Sequence, residues 1–227
     1  MSEGEIKKDS YHHGHLREEL IRRGLEALER EGAEALSLRA LAEAAGVSKT
    51  APYRHFKDKD LFLGALADEG YRLLYGALKA SIEINHSRKR SESPISAMGR
   101  AYMAFAVSRP ALYRLMNSPM ICRMPQELIG WARKSLLLLA ETLVASRNNS
   151  KNPDLQAPQS SLTEGEGASV RVPTPDLDAT TAAWAYIHGL VLIRIDGLYP
   201  SDLREPDWDR LAGVIPQIPK SGDGKEP

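Results

Sequence analysis

Cysteine is nearly missing from this chain. Cys122 is the single one among 227 residues, which excludes an internal disulfide framework and fits a reducing cytoplasm. Long hydrophobic runs are missing too. The longest apolar stretch, around Leu190 to Ile193, is broken by Arg194 and Asp196, far short of the roughly 18 residues of a membrane span. The opening MSEGEIKKDSYHHGH has no apolar core of a secretory signal, so the expectation is a cytoplasmic protein without a membrane partner. Net charge is absent, with 30 Lys and Arg against 30 Asp and Glu. That balance argues against indiscriminate coating of nucleic acid but leaves room for a local basic patch. No glycine-rich phosphate loop with its lysine occurs. Cys122 lies in the Met- and Pro-rich MNSPMICRMP with no base to activate it, and His12, His13 and His15 have no carboxylate or cysteine cluster to complete a tetrahedral metal set. The chain is therefore expected to be neither an enzyme nor a metal or cofactor protein. Its 42% hydrophobic and 26% charged residues are those of an ordinary globular chain.

What is present is concentrated between Ser37 and Lys59, SLRALAEAAGVSKTAPYRHFKDK. Leu38, Leu41, Ala42 and Ala45 recur at helical spacing, behind Ser37 as N-cap and ahead of Gly46 as a left-handed C-terminal stop. Ser48 then caps a second helix predicted from about Lys49 to Phe56. It carries Lys49, Thr50, Tyr53, Arg54 and His55 with almost no acid beside them. An apolar first helix, a Gly turn and a basic second helix are the helix-turn-helix plan, in which the second helix enters a major groove. The bland alternative is a generic helical hairpin. Against it, Lys49, Arg54, Lys57 and Lys59 face Asp58 alone between Lys49 and Lys59, and the hydroxyls and cationic donors suit phosphates and base edges.

GVSKTAPYRHFKDKDLFLGAL, preceded by LSLRALAEAAG, resembles the DNA-binding domain of the TetR family of bacterial one-component regulators. Gly46, Val47, Ser48, Tyr53, Phe56 and Lys59 match its pattern in order and spacing, and the likeness spans about residues 11–66. Pro52 departs from it, standing where an aliphatic residue is usual; it is tolerable only in the first turn of a short helix. YHHG before a Leu-Arg pair resembles one branch of the family, with His15 replacing an acidic cap. Further on, FAVSRPALYRLM together with Trp184, His188 and Gly189 resembles a regulatory-domain subtype carrying Trp-x-x-x-His-Gly. The resemblance implies a ligand-responsive body joined to the head by a long helix, and a dimer contact made by the last long helices.

Apolar periodicity predicts that connecting helix from about Lys57 to Asn85, a helix opening at Pro94, a short one after Pro110, and long ones near 126–146 and 177–198. The charged HSRKRSES is read as a solvated linker. Residues 146–175, poor in large apolar side chains, are read as a disordered excursion. The expected fold is all-α. Residues 1–58 form an N-terminal arm and three-helix helix-turn-helix domain; residues 59–218 form a helical-bundle ligand-binding and dimerisation domain; residues 219–227 are a flexible tail.

The candidate DNA contacts are Lys49, Thr50, Tyr53 and Arg54 on the groove side and His55 and Lys59 near phosphates, with Ser48 and Arg39 completing the set. Lys7, Lys8, His12 and His13 are either phosphate contacts or a merely solvated arm. Tyr102, Phe105, Met116, Trp131, Trp184 and His188 are the candidate ligand-binding residues, since small-molecule pockets are mostly apolar with a few polar groups. Taken residue by residue, the plainer reading of each is core, and the family resemblance is what lifts the set. Arg194 and Asp196, within an apolar helix, must face solvent or pair across a subunit interface. The function expected is a repressor that binds an inverted-repeat DNA operator as a homodimer and is released by a small-molecule effector. An activator, a ligand-independent DNA binder, or a small-molecule-binding protein that has lost DNA binding are the alternatives.

Overall fold

A computed structural model describes residues 15–87, 92–151 and 177–214, and all regular structure among them is helical. Helix α1, Leu16–Ala35, presents Leu16, Leu20, Gly24, Ala27 and Leu28 to the core. Gly32, at φ 78°, interrupts it near its end, where a residue with a Cβ would be strained. Gly24 matters for another reason: a Cβ there would come within 2.6 Å of the Phe62 ring, so glycine lets α1 lie close on α3. His15 at the N-cap makes no side-chain cap and instead meets the Glu18 carboxylate at 2.7 Å.

Helix α2, Leu38–Ala44, is capped by Ser37, whose Oγ accepts from the Ala40 N–H. Its exit is a Schellman turn. Gly46 N–H donates to Glu43 O and Val47 N–H to Ala42 O, with Gly46 at φ 70°. The segment after the turn differs from the expected α-helix over Lys49 to Phe56. It is a 3-10 turn, Ala51–Arg54, held by i to i−3 bonds from Ala51, Tyr53 and His55. Pro52 is the reason. An α-helix begun at Lys49 would need a Pro52 N–H to reach Ser48 O, and the ring would crowd that same carbonyl. Ser48 O instead accepts from Ala51. Phe56 then turns inward against Phe62, with ring centroids 5.0 Å apart.

Helix α3, Lys59–Ser87, starts where Asp58 Oδ1 accepts from Leu61 N–H. Its first turns bury Phe62, Leu63 and Leu66 in the head, and its later ones bury Leu74 and Leu78 in the body. The body continues with α4 (Pro94–Ser108), α5 (Pro110–Met116), α6 (Pro119–Cys122), α7 (Gly130–Lys151), α8 (Leu177–Ile195) and α9 (Trp208–Gly213). Pro94, Pro110 and Pro119 each open a helix at a position whose N–H needs no partner. Helix α7 begins at Gly130, after a 3-10 turn at 126–128, and continues to Lys151, so the first residues of the expected excursion at 146–175 are helical. Residues 152–175, the tail at 219–227, Lys7, Lys8, His12 and His13 lie outside the described residues. No described helix is long and apolar enough to cross a membrane.

Asp196 faces solvent, one of the two expected placements, and both it and the half-buried Arg194 also find partners within the chain. Asp196 Oδ1 accepts from Arg114 Nε at 2.9 Å and Nη2 at 2.7 Å, while the Arg194 guanidinium lies 5.9 Å from the Trp208 ring centroid.

Candidate nucleic-acid interface and body cavity

The turn and the 3-10 segment together build one polar surface. Ser48, Lys49, Thr50, Tyr53, Arg54 and His55 are all exposed, as is Arg39 on α2. Val47, Pro52 and Phe56 hold this surface onto the head from beneath. Thr50 and Ser48 hydroxyls lie 3.2 Å apart, and Lys49 Nζ is 3.8 Å from Glu43 Oε2, an exposed pair that holds the lysine only weakly. Lys59 is placed differently from the rest. Its Nζ donates to Glu34 O at 2.6 Å, so it first closes the C-terminal end of α1, and any phosphate must share it.

Behind the head, a cavity of about 320 Å3 opens among α3, α4, α7 and α8. Its floor is Leu74, Leu78, Met98 and Ile187, all buried, and Tyr71 and Tyr102 add ring faces. Of the six expected ligand-binding residues, Tyr102 and Trp184 lie on the wall. The other four do not. Phe105 and Met116 are packed into the core, Met116 with its sulfur against Gly70 of α3. Trp131 stands against Tyr75 at 5.3 Å between ring centroids, under the Lys134 ammonium, while its neighbour Ala132 reaches the wall.

His188 is one layer back, in a polar run. The Trp184 ring lies beside the His188 ring, with centroids 5.7 Å apart. Tyr102 and Tyr113 hydroxyls are 3.1 Å apart, and Tyr113 Oη is 2.5 Å from His188 Nδ1. Both hydroxyls are used when Tyr102 donates to Tyr113 and Tyr113 to an accepting Nδ1, which requires neutral imidazole. Burial lowers the His188 pKa, consistent with that form, and burial likewise pushes both tyrosines above their ordinary range.

Helix α5 connects this run to the head. Its first turn has no cap from Arg109; Glu29 of α1 supplies one instead, accepting from Ala111 N–H at 3.2 Å and Leu112 N–H at 2.9 Å. Sequence reasoning missed Glu29, Tyr71, Tyr113 and Arg133. Glu29 and its partners are 82 and 83 positions apart, so no local pattern links them. Tyr113 was legible only as an aromatic beside Pro110. Cys122, set aside as an incidental thiol, is exposed on the cavity wall.

Comparison with known proteins agrees with this architecture. Residues 20–66 match the model for bacterial regulatory proteins of the tetR family, and residues 95–214 match that for the tetracyclin repressor-like C-terminal domain. A protein of unknown function from Rhodococcus sp. RHA1 is 26% identical and superposes with a TM-score of 0.65, over 90% of this chain and 93% of that one. A bacterial regulatory protein in the tetR family from Rhodococcus RHA1 shares the fold at 16% identity, with a TM-score of 0.53 over 89% of this chain and 98% of the other. So does the TetR family transcriptional regulator PfmR from Thermus thermophilus, at 15% identity and a TM-score of 0.51, over 86% of this chain and 92% of the other. No curated protein matches the sequence. With the C-terminal model covering more than half of the chain and the N-terminal model covering its head, this protein belongs to the TetR family of bacterial transcriptional regulators, with a helix-turn-helix DNA-binding domain.

Proposed function

We propose that the chain is a ligand-responsive repressor that binds an inverted-repeat operator as a homodimer and releases it when a small molecule occupies the body cavity. The observation that carries this reading is the reach of α3. One unbroken helix buries Phe62 and Leu66 in the head and lines the cavity with Tyr71, Leu74 and Leu78. At about 1.5 Å per residue, a ligand near Leu78 acts on a rod whose head end is roughly 28 Å away. A small tilt at the cavity becomes a change in spacing between two recognition surfaces, and half-site spacing is what a dimer matches on DNA. The ligand must bind the released state more tightly than the DNA-bound one; otherwise it shifts nothing.

In this reading, Lys49, Thr50, Tyr53 and Arg54 face the groove, with His55, Ser48, Arg39 and a shared Lys59 toward the backbone. The dimer forms through α7 and α8, where Leu137, Leu177 and Ile193 stay exposed. Such a patch on paired helices is suited to a second copy related by a two-fold axis. The experiment selects bound sequences from random DNA and titrates the winner with and without candidate ligands. Transcription is then measured with the gene deleted. Inverted repeats, ligand-dependent release and raised target expression are expected. A monomer in light scattering at micromolar concentration, or target expression that falls on deletion, overturns the corresponding part.

A further inference from the structure

The cavity is one-sided in charge. Of the side chains on its wall, Arg133 carries the sole formal charge; no aspartate, glutamate, lysine or histidine joins it. Four other polar side chains there are committed internally. The Tyr71 hydroxyl donates to Met116 O, Ser135 Oγ to the Trp131 carbonyl, and Asn117 Nδ2 to Tyr113 O, while Tyr102 sits within the ring run. Arg133 pairs with no carboxylate among the described residues.

Position adds to charge. Arg133, Leu136, Trp184 and Cys122 are the exposed members of the wall and so mark its mouth. Arg133 and Leu136, three apart on α7, share a helix face, so the guanidinium and the apolar rim act on the same ligand. A molecule lying on the floor with its head at the mouth meets apolar side chains along its body and a five-donor planar fork at its end. That fork matches an oxyanion in two parallel bonds. A cationic ligand would meet a like charge and no free carboxylate to compensate its lost hydration. The volume is at the low end of the roughly 300–1,000 Å3 of small-molecule sites, which favours a compact body over a multi-ring one.

We propose that the cavity takes an amphipathic acid, a compact apolar body with one oxyanion head held by Arg133. The class of ligand rests on the cavity being the effector site; the binding itself does not. Calorimetric titration of the full-length protein tests it with 4-phenylbutyrate, 4-phenylbutanamide and 4-phenylbutylamine, which share one body and differ in head charge. The acid is expected to bind at least about tenfold tighter than the amide, and the amine more weakly still. In Arg133→Gln the acid falls to the amide's affinity while the amide is unmoved, which also shows that the cavity is intact. Arg133→Lys keeps part of the preference. The ester 3-phenylpropyl phosphate, with a similar body, decides whether the preferred oxyanion is carboxylate or phosphate. An amide or amine that matches the acid, a preference that survives in Arg133→Gln, or no binding of any probe at millimolar concentration overturns the proposal. Operator titrations separate the two readings. Arg133-dependent acid binding that leaves DNA affinity unchanged keeps the site and removes the effector role, whereas release of DNA equally by acid and amide does the reverse.

Discussion

Replacing Glu29 with alanine removes the clamp between the DNA-binding head and α5. In the wild type both Glu29 carboxylate oxygens are used, one on the Ala111 N–H at 3.2 Å and one on the Leu112 N–H at 2.9 Å. Loss of a helix cap costs about 0.5–2 kcal/mol. Glu29 is itself exposed, which lets water replace part of what is lost and pulls the figure down. Leu112 is buried, which leaves its N–H poorly placed to find that water and pulls the figure up. The expected loss is therefore about 1–2 kcal/mol, or roughly 2–8 °C in melting temperature for a chain of this size. Glu29→Gln retains one acceptor oxygen and should lose about half as much. Glu31→Ala, which breaks only an exposed pair with Arg30, is the control and should stay within about 0.5 kcal/mol.

Urea and thermal unfolding followed by far-UV circular dichroism measure all three variants. The denaturant slope should be unchanged, since the clamp alters stability and not the surface exposed on unfolding. If Glu29→Ala melts together with the Glu31→Ala control, the clamp does not form in solution, and the connection from Tyr113 to the head loses its last link.

Three further outcomes follow from named contacts. Gly46→Ala forces a Cβ residue to φ 70° in a turn with open space around it, so backbone strain alone should cost about 1–2 kcal/mol in urea unfolding; a neutral result would mean that the turn rearranges. Arg54→Ala or Lys49→Ala should reduce the ratio of operator to scrambled-DNA affinity by about 1–3 kcal/mol, whereas Lys59→Ala should weaken both DNAs alike and also lower the melting temperature, because its Nζ closes α1. Binding titrations at two salt concentrations separate these behaviours, and an unchanged ratio in both base-contact variants refutes the recognition surface. His188 has its pKa held below the ordinary value of 6.5 by burial, so the unfolded chain takes up the proton first. Its stabilising contribution is full above about pH 6.5 and declines as pH falls through the lowered folded pKa; His188→Gln should flatten that acid limb of stability against pH, and an identical limb in both proteins refutes the buried neutral imidazole.

The parts of this protein that were legible in its sequence depend on neighbours in the chain. Gly46 must stop α2 because of its own backbone freedom, Ser37 must cap it three residues on, and the prolines at 94 and 110 must open helices because they lack an N–H. Periods of three and four residues likewise predict the connecting helix that became α3. The 3-10 turn that replaces the expected helix at residues 49–56 is local chemistry too, since Pro52 denies a bond to Ser48 O. Tertiary structure decided what no spacing records. It chose which aromatic side chains became wall and which became core, sending Phe105 and Met116 inward while Tyr102 faced the cavity. It brought Glu29 onto α5, Tyr113 onto His188 and Arg114 onto Asp196 from about 75–83 positions away. It also gave Lys59 to the Glu34 carbonyl before any phosphate. The physical reason is common to these cases. Helical periodicity says that a face will be buried, but the identity of the partner depends on how several helices cross, and that is a property of the whole packed body.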